Sequence, residues 1–135
     1  MKPLFILVAD DEADIRALIS RWLERAGHHV TCAVNGVEAL AVAEVKAFDL
    51  VVTDVLMPES DGVELIAKLK KIRPMARILA ISGGGRVMEG SDCLRIAQGL
   101  GAHVAVMKPF TREQFMAAVD QALPQKPASP SLPSA

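Results

Sequence analysis

Short apolar runs alternate with stretches of helical periodicity along most of the chain, and this alternation constrains the fold more than any other feature. Leu4–Ala9, His29–Ala33, Leu50–Thr53, Arg77–Ser82 and His103–Met107 are rich in Val and Ile and bounded by turn formers, the pattern of buried strands. Five helical segments lie between and after them. Over residues 12–26, Ile15, Leu18, Ile19, Trp22, Leu23 and Ala26 recur at the i, i+3, i+4, i+7 spacing of one apolar helix face, and Gly27 follows as a stop. Asn35 with Glu38, Asp61 with Glu64 and Thr111 with Gln114 each set an N-cap residue ahead of a capping partner. Strands apolar on both faces, strictly alternating with helices, require a parallel sheet covered on both sides. The expected architecture is a doubly wound α/β domain with a five-stranded parallel sheet and five helices.

A chain of 135 residues, 51% apolar and 23% charged, supplies one core and not two. The folded domain is expected over residues 1–123. In residues 124–135, Pro124, Pro127, Pro130 and Pro133 fall at every third position among Ser and Ala, which fits an extended tail or linker that packs on nothing. Fifteen basic against 16 acidic residues, a formal charge of -1, provide no electrostatic footprint for nucleic acid or an anionic membrane surface. Aromatics are 4% with no Tyr, so few rings are available for stacking on bases or sugars. The mean hydropathy is +0.30, yet no stretch reaches the roughly 18 apolar residues of a membrane span. The run Leu4–Ala9 stops at Asp10-Asp11-Glu12, too short and too abruptly acidic for a signal peptide. Cys32 and Cys93 have no CxxC spacing, and a reduced, cytoplasmic setting is expected.

In doubly wound sheets ligands bind beyond the carboxyl ends of the strands, near the point where strand order reverses. Asp10 and Asp11 follow the first strand, Asp54 the third, Ser82 ends the fourth and Lys108-Pro109 follows the fifth. Crowded carboxylates raise each other's pKa unless a cation joins them, and oxygen donors with open water positions suit Mg²⁺. A lysine repels such a cation, so its donors serve an anion that arrives later, such as a phosphoryl group.

These residues, with Asp54-Val55-Leu56-Met57-Pro58, Asp61-Gly62 and Lys108-Pro109-Phe110, closely resemble the receiver domain of bacterial two-component response regulators, of the single-domain, chemotaxis-regulator type. The resemblance covers residues 4 to about 123 and implies a flavodoxin-like sheet of order 2-1-3-4-5. It implies that Asp54 is the phosphoacceptor, attacking phosphorus in line to form an acyl phosphate. Asp11, Asp54 and the backbone carbonyl of Leu56 would hold Mg²⁺ directly, with Asp10 acting through a bound water. Lys108 and Ser82 would each bind a phosphoryl oxygen, Ser82 also reporting the event through the loop and helix that follow it, and Lys108-Pro109 is expected to be cis.

The implied phosphoryl donor is a sensor histidine kinase or a histidine phosphotransfer protein, docked on Asp14, Ile15 and Leu18 and on Pro109-Phe110. Catalysis is then limited to the domain's own phosphorylation and dephosphorylation. Two other readings stay open. One is a Mg²⁺-dependent phosphohydrolase with an Asp nucleophile, against which Leu56 stands where a second acid is needed. The other is an interaction module that works unphosphorylated.

The chain departs from the family pattern in two places. Ala105, three before Lys108, stands where receivers often carry a switch Tyr or Phe. The segment from Ser82 to Lys108 looks long and opens with Gly83-Gly84-Gly85. Glycine costs about 1 kcal/mol per helical position relative to Ala, so the next helix is expected to start near Ser91 or Asp92, after a mobile loop. Other features read as structural. Gly85–Ser91 lacks the lysine of a phosphate loop, Gly99-Leu100-Gly101 is a helix stop, His28-His29 lie in a turn, and Lys68, Lys70, Lys71 and Arg73 form a solvated basic helix end.

Overall fold

Each apolar run forms a strand whose ends fall within one residue of expectation: β1 (Phe5–Ala9), β2 (His29–Ala33), β3 (Leu50–Asp54), β4 (Arg77–Ser82) and β5 (Val104–Met107). The computed structural model describes residues 3–55, 62–82, 99 and 101–124. Its helices are α1 (Ala13–Arg25), α2 (Gly36–Val45), α3 (Gly62–Ile72) and α4 (Arg112–Ala122). Five helices are expected and four are seen among the described residues. The helix expected from Ser91 or Asp92, the glycine-rich segment before it, Leu56, Asp61, Cys93 and all of the tail after Pro124 lie outside those residues.

The strands are parallel in the order β2-β1-β3-β4-β5. The chain starts at β1, steps outward to β2, then returns past β1 to β3, so the reversal falls between β1 and β3. Alternation along each strand divides the core in two. Leu7, Ala9, Val51, Ile78 and Ala80 pack with Ala39 and Ala43 of α2 and Leu65, Ile66 and Leu69 of α3. Ile6, Val8, Leu50, Val52, Leu79 and Ile81 pack on the other side with Ile19 and Leu23 of α1 and Phe115, Ala118, Val119 and Ala122 of α4. Each fully buried aliphatic side chain contributes about 1.5–3 kcal/mol relative to exposure, which is what holds the polar strand ends in place.

Burial on both faces holds for β3 and fails for β2, where His29 and Cys32 are exposed. β2 is an edge strand, with a neighbour on one side only among the described residues. On α1 the apolar stripe is narrower than its spacing implies. Ile19 and Leu23 are buried, Leu18 is 38% exposed and Ala26, at the C-cap, faces solvent.

Gly27 ends α1 with φ +97°, a left-handed conformation that favours glycine. Asn35 caps α2 by accepting from the Glu38 N–H at 2.8 Å, and Thr111 with Gln114 forms a reciprocal capping box on α4. The basic end of α3 is not merely solvated. Arg73 is half-buried, and its Nε donates to the Ala43 carbonyl at 2.9 Å, tying α3 to α2.

Both edge strands are entered through an imidazole. The Leu4 N–H donates to Nδ1 of His28 at 3.1 Å, and the Ile78 N–H donates to Nδ1 of His103 at 3.1 Å. A nitrogen that accepts must be unprotonated. Burial lowers the pKa of His28, and burial lowers that of His103 with the positive charges of Arg77 and Lys70 adding to it. The turn that held a histidine pair thus uses His28 as a backbone acceptor, while His29 stacks on Phe5 at 4.9 Å.

Candidate functional site

A buried strand that runs out into an aspartate delivers its carboxylate to the sheet edge with little freedom to turn away. Asp10, directly after β1, is 0% exposed and Asp54, the last residue of β3, is 5% exposed. The Asp10 N–H donates to the Ala33 carbonyl at 3.2 Å, extending the ladder beyond β1, and Arg16 Nη1 on α1 donates to the Asp10 carbonyl at 2.7 Å. Oδ1 of Asp10 accepts from the Glu12 N–H at 2.8 Å. Beneath the site the hydroxyl of Thr53 is satisfied by the Asp54 carbonyl at 3.1 Å.

Lys108 reaches the same place from the far side of β4. Its N–H donates to the Ser82 carbonyl at 2.7 Å, which fixes where the side chain starts. Its Nζ then lies 3.0 Å from Asp54 Oδ2 and 3.3 Å from Asp10 Oδ2, and donates to Glu12 Oε1. Burial works against the charge of Lys108. The hydrogen bonds to Glu12 and Asp54, with the charges of Asp54 and Asp10, outweigh it and raise the pKa above the ordinary lysine value. The ammonium is therefore charged throughout the physiological range.

Asp10 moves upward for the opposite balance: burial dominates and the charge of Asp54 adds to it, against the Glu12 N–H and Lys108. Its Oδ2 is buried and accepts no hydrogen bond among the described residues, so the contact with Nζ is ionic and undirected. Asp10, Glu12 and Asp54 each bring one oxygen within 4.8 Å of the others. Among the described residues one ammonium, that of Lys108, forms ion pairs with these three carboxylates. A small divalent cation with hard oxygen preference fits the two buried members, Asp10 and Asp54, and the Asp10 oxygen with no hydrogen bond among the described residues is where such a cation would relieve the largest cost.

The structure therefore brings together Asp10, Asp54 and Lys108 of the residues expected from the sequence. Ser82 is buried at the carboxyl end of β4, one residue beyond Ile81, the register partner of Asp54. Asp11 is exposed and outside the carboxylate group. Leu56 lies outside the described residues. The peptide Lys108-Pro109 is cis. Ala105 is half-buried against the α2–α3 side of the core.

Of the surface expected to dock a partner, Asp14, Leu18 and Pro109 are exposed and Ile15 is half-buried. Phe110 is half-buried too, because its ring stacks on Phe115 at 5.6 Å and meets Trp22 edge-on at 6.1 Å. Glu12 and Arg16 have roles the sequence reading missed. The third acid of Asp10-Asp11-Glu12 is a signal for Glu12, and nothing local marks Arg16.

Fold and site together define a phosphoryl-accepting domain built at the switch point of a doubly wound sheet. The chain belongs to the response regulator receiver domain family, whose profile matches residues 6–120, and it is a phosphoacceptor receiver of two-component signalling. It is 35% identical over 120 residues to the response regulator receiver protein CpdR of Brucella abortus, covering 87% of this chain and 95% of that one. Sporulation initiation phosphotransferase F of Bacillus subtilis is 31% identical over 121 residues, 90% of this chain and 94% of that one. The transcriptional regulator NtrC of Azospirillum brasilense is 33% identical over 134 residues, and there the chain spans 27% of the relative's length. The solved structure of the chemotaxis protein CheY4 of Vibrio cholerae superposes with a TM-score of 0.78 at 28% identity, covering 90% of this chain and 100% of that one. Among the described residues no helix is long and apolar enough to cross a membrane.

Proposed function

We propose that Asp54 is the residue phosphorylated, with Mg²⁺ as cofactor and with a sensor histidine kinase or histidine phosphotransfer protein as donor. The carrying observation is the ion pair of Asp54 with Lys108 at 3.0 Å beside a buried Asp10 oxygen that accepts no hydrogen bond among the described residues. An Asp54 carboxylate oxygen attacks phosphorus, the O–P bond forms as the N–P bond to the donor histidine breaks, and the donor imidazole leaves. Asp54 and Asp10, with Asp11 and the Leu56 carbonyl, would hold Mg²⁺, which when bound neutralises charge on the transferring group. Lys108 then neutralises a phosphoryl oxygen from the other side, and the Ser82 hydroxyl takes a third position.

Output follows from movement of Ser82 toward the new anion, transmitted through the segment after it. With Ala105 in the place of a ring, that motion meets no side-chain lock at this position. Catalysis is confined to the domain's own phosphorylation and dephosphorylation. The relative named a phosphotransferase supports a role in a relay, in which the group on Asp54 passes onward. Residues 1–123 act as the receiver unit, 124–135 as a tail, and the exposed free thiol of Cys32 fits a reduced, cytoplasmic setting.

The test is incubation with acetyl phosphate and Mg²⁺ followed by mapping of the acyl phosphate, then phosphotransfer from candidate kinases. Label on Asp54, absent from Asp54→Asn, is the expected result. Label retained in Asp54→Asn overturns the assignment. Sustained turnover of phosphate esters by the wild type would favour a phosphohydrolase instead.

A further inference from the structure

We infer that Glu12 is a latch on Lys108, an anion that holds the ammonium in the resting domain and is displaced by the phosphoryl group. The inference rests on the assignment of Asp54 and Lys108 made above. Glu12 occupies the N-cap of α1 with extended backbone, φ -89° and ψ 116°, yet its side chain makes no capping hydrogen bond. Short side chains are preferred at such positions because they fold back onto the helix amides. The Glu12 carboxylate instead crosses to Lys108, 96 positions away in the chain.

Three carboxylates surround an ammonium that has three N–H donors. Glu12 and Asp54 accept its hydrogen bonds while Asp10 makes an ionic contact, and a phosphoryl oxygen arriving on Asp54 competes with these anions for the ammonium. Asp10 and Asp54 are held by buried backbone at the ends of β1 and β3, with side chains 0% and 8% exposed. The Glu12 side chain is 57% exposed and hangs on two methylenes, so it alone can leave without disturbing the sheet. The exchange swaps one anion for another on the same cation. Lys108 stays compensated at every stage, and Glu12 sets how readily it is surrendered.

Beryllofluoride at saturating Mg²⁺, followed by amide chemical shifts, probes the exchange without turnover. Glu12→Gln and Glu12→Ala should bind it about two- to fivefold more tightly than the wild type, the range for a solvent-exposed ion pair. The gap should narrow at high ionic strength, which screens the pair, whereas a purely structural role would not respond to salt. Mg²⁺ affinity should fall by no more than about twofold, the scale of one screened surface charge. Neither variant removes a helix cap, so both are expected to fold. Equal or weaker beryllofluoride binding in both variants overturns the latch, as does a large loss of Mg²⁺ binding, which would make Glu12 a ligand of the cation. Failure of the underlying assignment looks different: the wild type would not take up beryllofluoride, or Asp54→Asn would bind it equally well.

Discussion

Nζ of Lys108 lies 3.0 Å from Oδ2 of Asp54 although β4 separates their two strands in the sheet. The long lysine arm spans the intervening strand, and its anchor is the hydrogen bond from the Lys108 N–H to Ser82. The same contact couples the acceptor carboxylate to the end of β4, where Ser82 sits.

Removing this cation takes away the ion pairs of two buried carboxylates. Lys108→Ala is expected to lose on the order of 1–3 kcal/mol of stability at neutral pH, the cost of stranding buried charged partners. Added Mg²⁺ should restore part of it. Urea unfolding with and without Mg²⁺ measures both effects, and an unchanged midpoint would mean that the buried acids are compensated elsewhere.

Asp10 carries an opposite liability. Burial raises its pKa, so the folded state holds a proton more tightly than the unfolded state, and stability falls as pH rises from the unfolded value toward the raised one. Asp10→Asn removes the charge at nearly constant shape and should stabilise the metal-free domain by about 1 kcal/mol while weakening Mg²⁺ binding. Lower stability of the variant at neutral pH would contradict this account.

His28 and His103 give a second pH dependence, on the acid side. Both pKa values are lowered in the fold, so below about pH 6.5 the unfolded chain binds more protons and stability declines as pH falls. Protonation also costs the Leu4 and Ile78 amides their acceptors. Denaturation midpoints should drop between pH 7 and 5, and NMR titration should place both imidazoles below the ordinary histidine range. Flat midpoints over that interval would show that these bonds contribute little.

The docking surface can be separated from the fold beneath it. Ile15→Ala should slow phosphotransfer from a protein donor while sparing labelling by acetyl phosphate. Phe110→Ala should do the same and also lower stability by about 1–3 kcal/mol, because the ring supports Phe115 and Trp22. Trp22, the sole tryptophan, should report that loosening as a shift in fluorescence. Wild-type phosphotransfer in both variants would put the interface elsewhere.

Periodicity makes the fold readable without coordinates. The strand positions, the caps at Asn35 and Thr111 and the stop at Gly27 depend on residues close in sequence, whose backbone preferences and apolar spacing act locally. Asp10, Asp54 and Lys108 were legible for a related reason. Each directly ends or follows a buried run, and parallel strands deliver their carboxyl ends to one edge.

Tertiary structure decided which neighbours meet Lys108. Nothing local distinguishes Asp11, which faces solvent, from Glu12, which grips Lys108, because the choice follows from how the chain leaves β1 and enters α1 opposite a lysine from β5. The acceptor roles of His28 and His103, the Arg16 contact with the Asp10 carbonyl and the rings around Phe110 are likewise pairings between distant segments. Spacing along a chain specifies which face of an element is apolar, whereas the partner of a polar group depends on packing that brings remote backbone within about 3 Å, the hydrogen-bonding distance.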